Sequence, residues 1–329
     1  MNQIEHIYRT NLVHRYDDDG ILRYFSASDF SGLTSQDFSF PSREGNMLAG
    51  HLYAYPGASY EKLVVFCHGL GGGHRSYMRE IETLARHGYR VAAYDNTGCF
   101  ASEGEDIRGL TQSLSDLDSF LNYAREKGLL PADVTVIGHS WGGYAAGNIR
   151  HLHPEIRKIV VLAGFSSVKR MLKLYFSGVK RLFMGACARF ERRQNPALYP
   201  LSAETALDDP AVRALIIQSD DDGMVDYRRS FLFLKERVKH TGVKFLSLHA
   251  RGHNPNYTED AAAYMTEVLG GLQKGVREKR LNTPDEKRAY LKDADWYRMT
   301  EQDPAVWDEI FALIDADPVS LPKRISDRS

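Results

Sequence analysis

The chain has 329 residues, 43% of them hydrophobic and 26% charged, with a formal net charge of −1 at pH 7, which suits one α/β domain with insertions and a sizeable core. The near-zero charge removes the bulk attraction that nucleic acid or an anionic membrane would need, and Cys67, Cys99 and Cys187 lack the number and spacing of a disulfide framework or a zinc site. The N-terminus has no apolar signal-peptide core and no uncharged apolar run approaches membrane-spanning length, so a cytoplasmic protein without stable membrane insertion is expected.

Residues 1–34 are polar and aromatic without a clear period and read as an irregular lead-in. Two extended segments, DFSFPS and MLAGHLYAY, flank Arg43-Glu44-Gly45-Asn46 and predict a hairpin. Strand and helix patterns then alternate. Lys62–Cys67, Tyr89–Tyr94, Val134–Gly138, Lys158–Ala163, Ala214–Gln218 and Val243–Leu248 are short apolar runs of the kind that form buried parallel strands. Between them, Met78, Ile81 and Leu84 keep helical spacing, as do Leu110, Leu114, Leu117 and Leu121. A small-residue helix is expected over Trp141–Arg150, with further helices over about 226–239 and 258–273. The alternation predicts an α/β fold, a mostly parallel sheet with helices on both faces. Residues 166–207 are too long for a simple crossover and read as an inserted helical cap; 275–329 read as a charged helical extension. The expected organisation is therefore a lead-in (1–34), a catalytic domain (35–274) and a C-terminal extension (275–329). Trp296, Trp307 and Phe311 in the extension require burial, against their own domain or a neighbour, so the extension is a candidate surface for homo-oligomer formation.

Gly138-His139-Ser140-Trp141-Gly142 lies between the VTVIG strand and the small-residue helix. A serine hydroxyl attacks a carbonyl only when presented to it and to a base at the same time. A sharp strand-to-helix turn presents it, glycines on either side relieve the crowding, and the helix start aims N–H groups at the site. Ser140 is thus the expected nucleophile. His68-Gly69-Leu70-Gly71-Gly72-Gly73 follows the KLVVFC strand. Its backbone, with that of the residue after the serine, would supply oxyanion donors, the N–H groups of Leu70 and Trp141. A phosphate loop is disfavoured because no Gly-Lys-Ser/Thr follows. Asp220, Asp221 and Asp222 follow the ALIIQS strand, and one of them is expected to orient the base. His249 falls at the end of VKFLSL, whereas His253 lies in the loop beyond Gly252, where its ring can reach both an acid and a serine; His253 is the expected base. His74 and His139 fall close to the site and are assigned to structure, as are His14, His51, His151 and His153.

The order serine, acid, histidine, with the elbow and the glycine-rich loop, resembles the α/β-hydrolase superfamily, in particular its esterase and serine aminopeptidase-like members with a helical cap. The resemblance covers about 45–273. It implies an acid in a Gly-x-x-Asp-x-x-Val pattern, which Asp222 and Val225 match with Ser219 in place of the glycine, and a histidine after a glycine, which Gly252-His253 matches. Asp95-Asn96-Thr97-Gly98-Cys99-Phe100-Ala101-Ser102-Glu103-Gly104 resembles a further glycine- and serine-bearing loop of the family, assigned to structural support. The resemblance implies a serine hydrolase that cleaves a small-molecule carboxylic ester through an acyl-enzyme, with no metal or organic cofactor required. An aminopeptidase, acyl-peptide hydrolase or thioesterase would use the same residues, and a non-catalytic binding protein on the same fold is the contrasting reading. In the cap, Tyr175, Phe176, Phe183 and Met184 are the candidate substrate-binding residues. Lys169, Arg170, Lys173, Lys180, Arg181, Arg189, Arg192 and Arg193 form either a solvated face or a site for an anionic group on the substrate.

Overall fold

The computed structural model describes residues 3–176 and 183–317. Eight strands form one sheet in the order β1-β2-β4-β3-β5-β6-β7-β8: Thr34–Pro41 (β1), Met47–Ala54 (β2), Lys62–Cys67 (β3), Arg90–Tyr94 (β4), Asp133–His139 (β5), Lys158–Leu162 (β6), Arg213–Ser219 (β7) and Val243–Leu248 (β8). The first two pair antiparallel as the expected hairpin, with Pro41 opposite Met47, and Gly45 takes φ +90° in the turn. β2 joins β4 antiparallel, and every later pairing is parallel.

The central strands are apolar throughout because both faces are covered. In β3, Leu63, Val65 and Cys67 enter one core layer while Val64 and Phe66 enter the other. The same alternation splits Ile159 and Val161 from Val160 and Leu162 in β6, and Ala214 and Ile216 from Leu215 and Ile217 in β7. Helices Gln112–Glu126 and Trp141–Asn148 contribute Leu114, Leu117, Tyr144 and Ala145 to the first layer. Helix Met78–Arg86 contributes Ile81 and Leu84 to the second. Burying each of the Val, Leu, Ile and Phe side chains among them contributes about 1.5–3 kcal/mol.

In chain order the α-helices are Gln3–Leu12 (α1), Met78–Arg86 (α2), Gln112–Glu126 (α3), Trp141–Asn148 (α4), Val168–Tyr175 (α5), Met184–Gln194 (α6), Ala203–Leu207 (α7), Phe233–Arg237 (α8), Glu259–Arg277 (α9), Pro284–Leu291 (α10), Trp296–Met299 (α11) and Pro304–Asp315 (α12). The lead-in is thus not irregular throughout: α1 packs on α6, with the buried Tyr8 hydroxyl donating to Glu191 Oε1 at 2.6 Å. The helix expected over 226–239 is interrupted. Its first turn, Arg228–Leu232, is π-helical, and only Phe233–Arg237 is α-helical.

The extension carries its own start signals. Thr283 caps α10 in a capping box with Glu286, Asp303 caps α12, and Pro284 and Pro304 sit in the first turns. α12 then lies on the sheet, where Trp307 is 2% exposed beside Val306, Ile310 and Ile314. Lys158 Nζ holds the helix end, donating to the Ile314 carbonyl at 2.7 Å while pairing with Asp133 at 2.8 Å. Trp296 and Phe311 pack against the same core layer but remain half-buried. Among the described residues, no helix is long and apolar enough to cross a membrane.

Candidate active site

The chemistry-bearing residues gather at the carboxyl edge of the parallel strands, where loops leave the sheet and open a crevice. Ser140 follows β5 at φ 55° and ψ −111°, a strained conformation for a residue with a Cβ. Its N–H donates to the Leu162 carbonyl at 2.8 Å, and its own carbonyl accepts from Tyr144 N–H at 3.0 Å, so strand and helix pin the turn from both sides. The flanking glycines are needed for contact as well as for freedom. A Cβ on Gly138 would lie 2.1 Å from the Gly142 carbonyl oxygen, and one on Gly142 would lie 2.1 Å from that of Cys67.

Asp222 and His253 meet beside this turn. His253 Nδ1 lies 3.0 Å from each carboxylate oxygen of Asp222, whose side chain is wholly buried. The carboxylate is held by Met224 N–H (2.8 Å), Val225 N–H (3.0 Å) and Gln218 Nε2 (3.1 Å). Its neighbours take other partners. Asp220 pairs with exposed His249 at 2.8 Å, and Asp221 accepts from Ser219 Oγ and from Gly252 N–H. Ser219, at the position where the family pattern has glycine, also accepts from Arg251 N–H at 3.1 Å, tying the acid loop to the histidine loop. Ser140 and His253 line one cavity of about 380 Å³, with no hydrogen bond joining the two side chains.

The glycine-rich loop forms another wall of that cavity. His68 is buried; Asn96 N–H donates to its Nε2 at 2.9 Å, so Nδ1 carries the hydrogen and donates to the Gly69 carbonyl at 2.7 Å. The Gly69 N–H donates to the Tyr77 hydroxyl at 3.1 Å. With Gly69 held at both ends, Leu70 follows on the cavity wall, as does Trp141, the first residue of α4. The Trp141 indole is anchored by donating to the Leu110 carbonyl at 2.7 Å. Neither main-chain N–H, of Leu70 or of Trp141, has an acceptor among the described residues.

Of the four apolar cap residues, Tyr175 lines the Ser140 cavity. Phe176 and Phe183 do not. They line a neighbouring groove of about 630 Å³ with Ile4, Ile7 and Leu12 of α1. Met184 packs against the core and lines neither. Tyr175 stands between the two spaces and lines both. None of the described basic residues of the cap lines either space; Arg193 pairs with Glu5 and Arg192 lies over Tyr199. Lys180 and Arg181 fall outside the described residues.

Several wall residues had no signal in the sequence. Leu22 and Tyr24 come from the lead-in, and Met265 and Leu269 from α9. His139, expected near the site and assigned to structure, lines the Ser140 cavity. It is packed against the His253 ring at 4.7 Å between centroids, and burial, with the neighbouring His253, pushes its pKa down to about 3. His74 does stand off the site, paired with buried Asp95 at 2.7 Å. Asp95 also accepts from Ala101 N–H, and Ser102 ties that loop to β2, consistent with a supporting part. All three cysteines are free and buried, and no group of three or more His, Cys, Asp or Glu suited to a metal occurs among the described residues.

Residues 58–218 match the family described as Hydrolase_4, serine aminopeptidase, S33. Among solved structures, an esterase of Pyrococcus furiosus is 18% identical, covering 82% of this chain and 97% of its own, with a TM-score of 0.57. Est1E of Butyrivibrio proteoclasticus, solved with ferulic acid bound, is 15% identical over 75% of this chain and all (100%) of its own, with a TM-score of 0.54. A probable 1-acylglycerol-3-phosphate O-acyltransferase of Oryza sativa subsp. japonica is 32% identical over 110 residues, 32% of this chain and 26% of that protein. The match thus spans about a quarter of the length of that curated relative.

Proposed function

We propose that the chain is a hydrolase of the α/β-hydrolase superfamily and that it cleaves carboxylic esters through Ser140, His253 and Asp222. One observation carries the reading: a buried carboxylate grips His253 Nδ1 at 3.0 Å on the wall of the cavity that holds the strained Ser140 turn. Asp222 can only accept, so Nδ1 carries a hydrogen and Nε2 is left with the lone pair a general base needs. In the first step Ser140 Oγ bonds to the ester carbonyl carbon and its proton passes to His253 Nε2. The oxyanion is met by the N–H groups of Leu70 and Trp141, reinforced by the N-terminal end of α4. Collapse breaks the ester C–O bond, with the proton returned from His253 to the leaving alcohol. Water then repeats the sequence on the acyl-enzyme and releases the acid. Tyr175, with Phe165 and Met171, forms an apolar wall for the acyl part.

The competing readings are an amide or a thioester substrate, with an amine or a thiol as leaving group, and transfer of the acyl group to an alcohol in place of water, the last suggested by the acyltransferase relative. Matched ester, amide and thioester substrates, each with and without added alcohol, separate them. The expected result is fastest turnover of the ester, abolished in Ser140→Ala, and labelling of Ser140 by a fluorophosphonate. Unchanged ester turnover in Ser140→Ala would overturn the mechanism.

A further inference from the structure

A second hydrogen-bond chain crosses the site without touching Asp222. Its direction is fixed by what each atom can do. The His253 carbonyl can only accept, so the contact at 2.7 Å requires a hydrogen on His139 Nε2. His139 is buried and kept neutral, which leaves Nδ1 as an acceptor, and the Tyr77 hydroxyl donates to it at 2.8 Å. The Tyr77 oxygen in turn accepts from Gly69 N–H at 3.1 Å. The chain therefore runs from the glycine-rich loop after β3, through α2's leading turn and the elbow, to the loop that carries His253. There is little slack along it. A Cβ on Gly69 would lie 2.5 Å from the Tyr77 hydroxyl and 3.3 Å from both His139 Nδ1 and Ser140 Cβ. The His253 loop has left-handed backbone at Ala250 (φ 55°) and Gly252 (φ 54°), and the His139 contact fixes its main chain where Asp222 fixes only the ring.

Resting on the ester-hydrolase reading above, we propose that Tyr77 and His139 are positioning residues that hold the oxyanion loop and the base loop in one register. Acyl transfer needs the base and the oxyanion donors at set distances from one carbonyl, and a misplacement of about 1 Å can cost about 10²-fold in rate. Both residues line the Ser140 cavity, and the hydrogen bonds of this chain run to main-chain groups and between the two side chains. Each acts through the backbone of Gly69 or His253.

The test uses Tyr77→Phe, His139→Leu and His139→Gln, with turnover of a short p-nitrophenyl ester divided by the sites that a fluorophosphonate titrates. Tyr77→Phe keeps the ring and the fold. Tyr77→Phe and His139→Leu are each expected to lower kcat per titrated site about tenfold, the worth of roughly 1.4 kcal/mol, with KM changed by less than about twofold. His139→Gln, whose amide can donate to the same carbonyl, recovers most of the loss. The Tyr77→Phe/His139→Leu double variant loses little more than either single one, because one chain is broken once. A merely structural pair would lower the number of titrated sites and leave kcat per site unchanged, and that result overturns the proposal. Side-chain nitrogen NMR of His139 gives a readout independent of turnover: a neutral ring with hydrogen on Nε2 is expected, and hydrogen on Nδ1 overturns it. Wild type that neither hydrolyses esters nor reacts with the fluorophosphonate would sink the ester reading instead, leaving the NMR result to judge the chain of bonds.

Discussion

At the scale of single residues, the site is a set of constraints on hydrogens and backbone angles. Ser140 is held at φ 55°, a geometry that costs on the order of 1–3 kcal/mol and persists because bonds to Leu162 and from Tyr144 over-determine it. Alanine tolerates the same backbone about as well as serine, so Ser140→Ala is expected to keep its melting temperature while ester turnover falls by about 10⁴-fold or more. Asp222→Asn isolates the tautomer argument. The amide can face His253 with its NH₂, which places the ring hydrogen on Nε2 and removes the base, and a loss of about 10³–10⁴ in kcat is expected with the fold intact. Activity within tenfold of wild type, measured on the purified variant, would remove Asp222 from the mechanism. These identities were largely legible in the chain. The elbow, the glycine-rich loop and the histidine after Gly252 are each local patterns that follow a strand directly. Choosing Asp222 among three adjacent acids needed the family pattern, because a run of like residues carries no phase of its own.

Elements add what single residues cannot. Gly142 sits in the first turn of α4, and its missing Cβ leaves room for the Cys67 carbonyl of β3. Gly142→Ala must displace one strand or helix from the other, so lower stability and lower activity are expected together, read by denaturant titration and ester assay. The last helix, α12, makes a different point. Its apolar face, Val306, Trp307, Ile310 and Ile314, covers the second core layer of the sheet, and Trp307→Ala is expected to cost about 3–5 kcal/mol in urea unfolding. The strands were legible because apolar runs of five to seven residues bounded by turn residues have few alternatives. The first helix was not. Gln3–Leu12 is polar on most of its surface, and only Tyr8 is buried, so its periodicity is too thin to read without the partner it packs on.

For the molecule as a whole, one buried carboxyl links three separated segments. Glu191 of α6 accepts from Tyr8 of α1 and from Leu110 N–H, and Leu110's carbonyl accepts from the Trp141 indole. Burial pushes the Glu191 carboxyl from its ordinary 4.5 up to about 7. Between those values the unfolded chain has released this proton and the folded chain retains it, so the contribution to stability falls as pH rises through that window and stays low above it. Glu191→Gln keeps the acceptor without the charge. Its stability gain over wild type is expected to be largest near about pH 8, up to about 2–3 kcal/mol, and to vanish near about pH 4.5. Thermal unfolding across that range checks it, and an equal gain at every pH would refute the linkage.

The sequence by itself determined the strand order's raw material, the turn at Ser140 and the residue types that follow each strand, because these depend on neighbours a few positions away. The tertiary structure decided which distant surfaces meet: α1 on α6, α12 on the sheet, Phe176 and Phe183 in a groove with α1 instead of the Ser140 cavity, and His139 against the main chain of His253. Those outcomes turn on the direction of side chains brought together across more than a hundred residues, and such directions exist only once the whole core has closed.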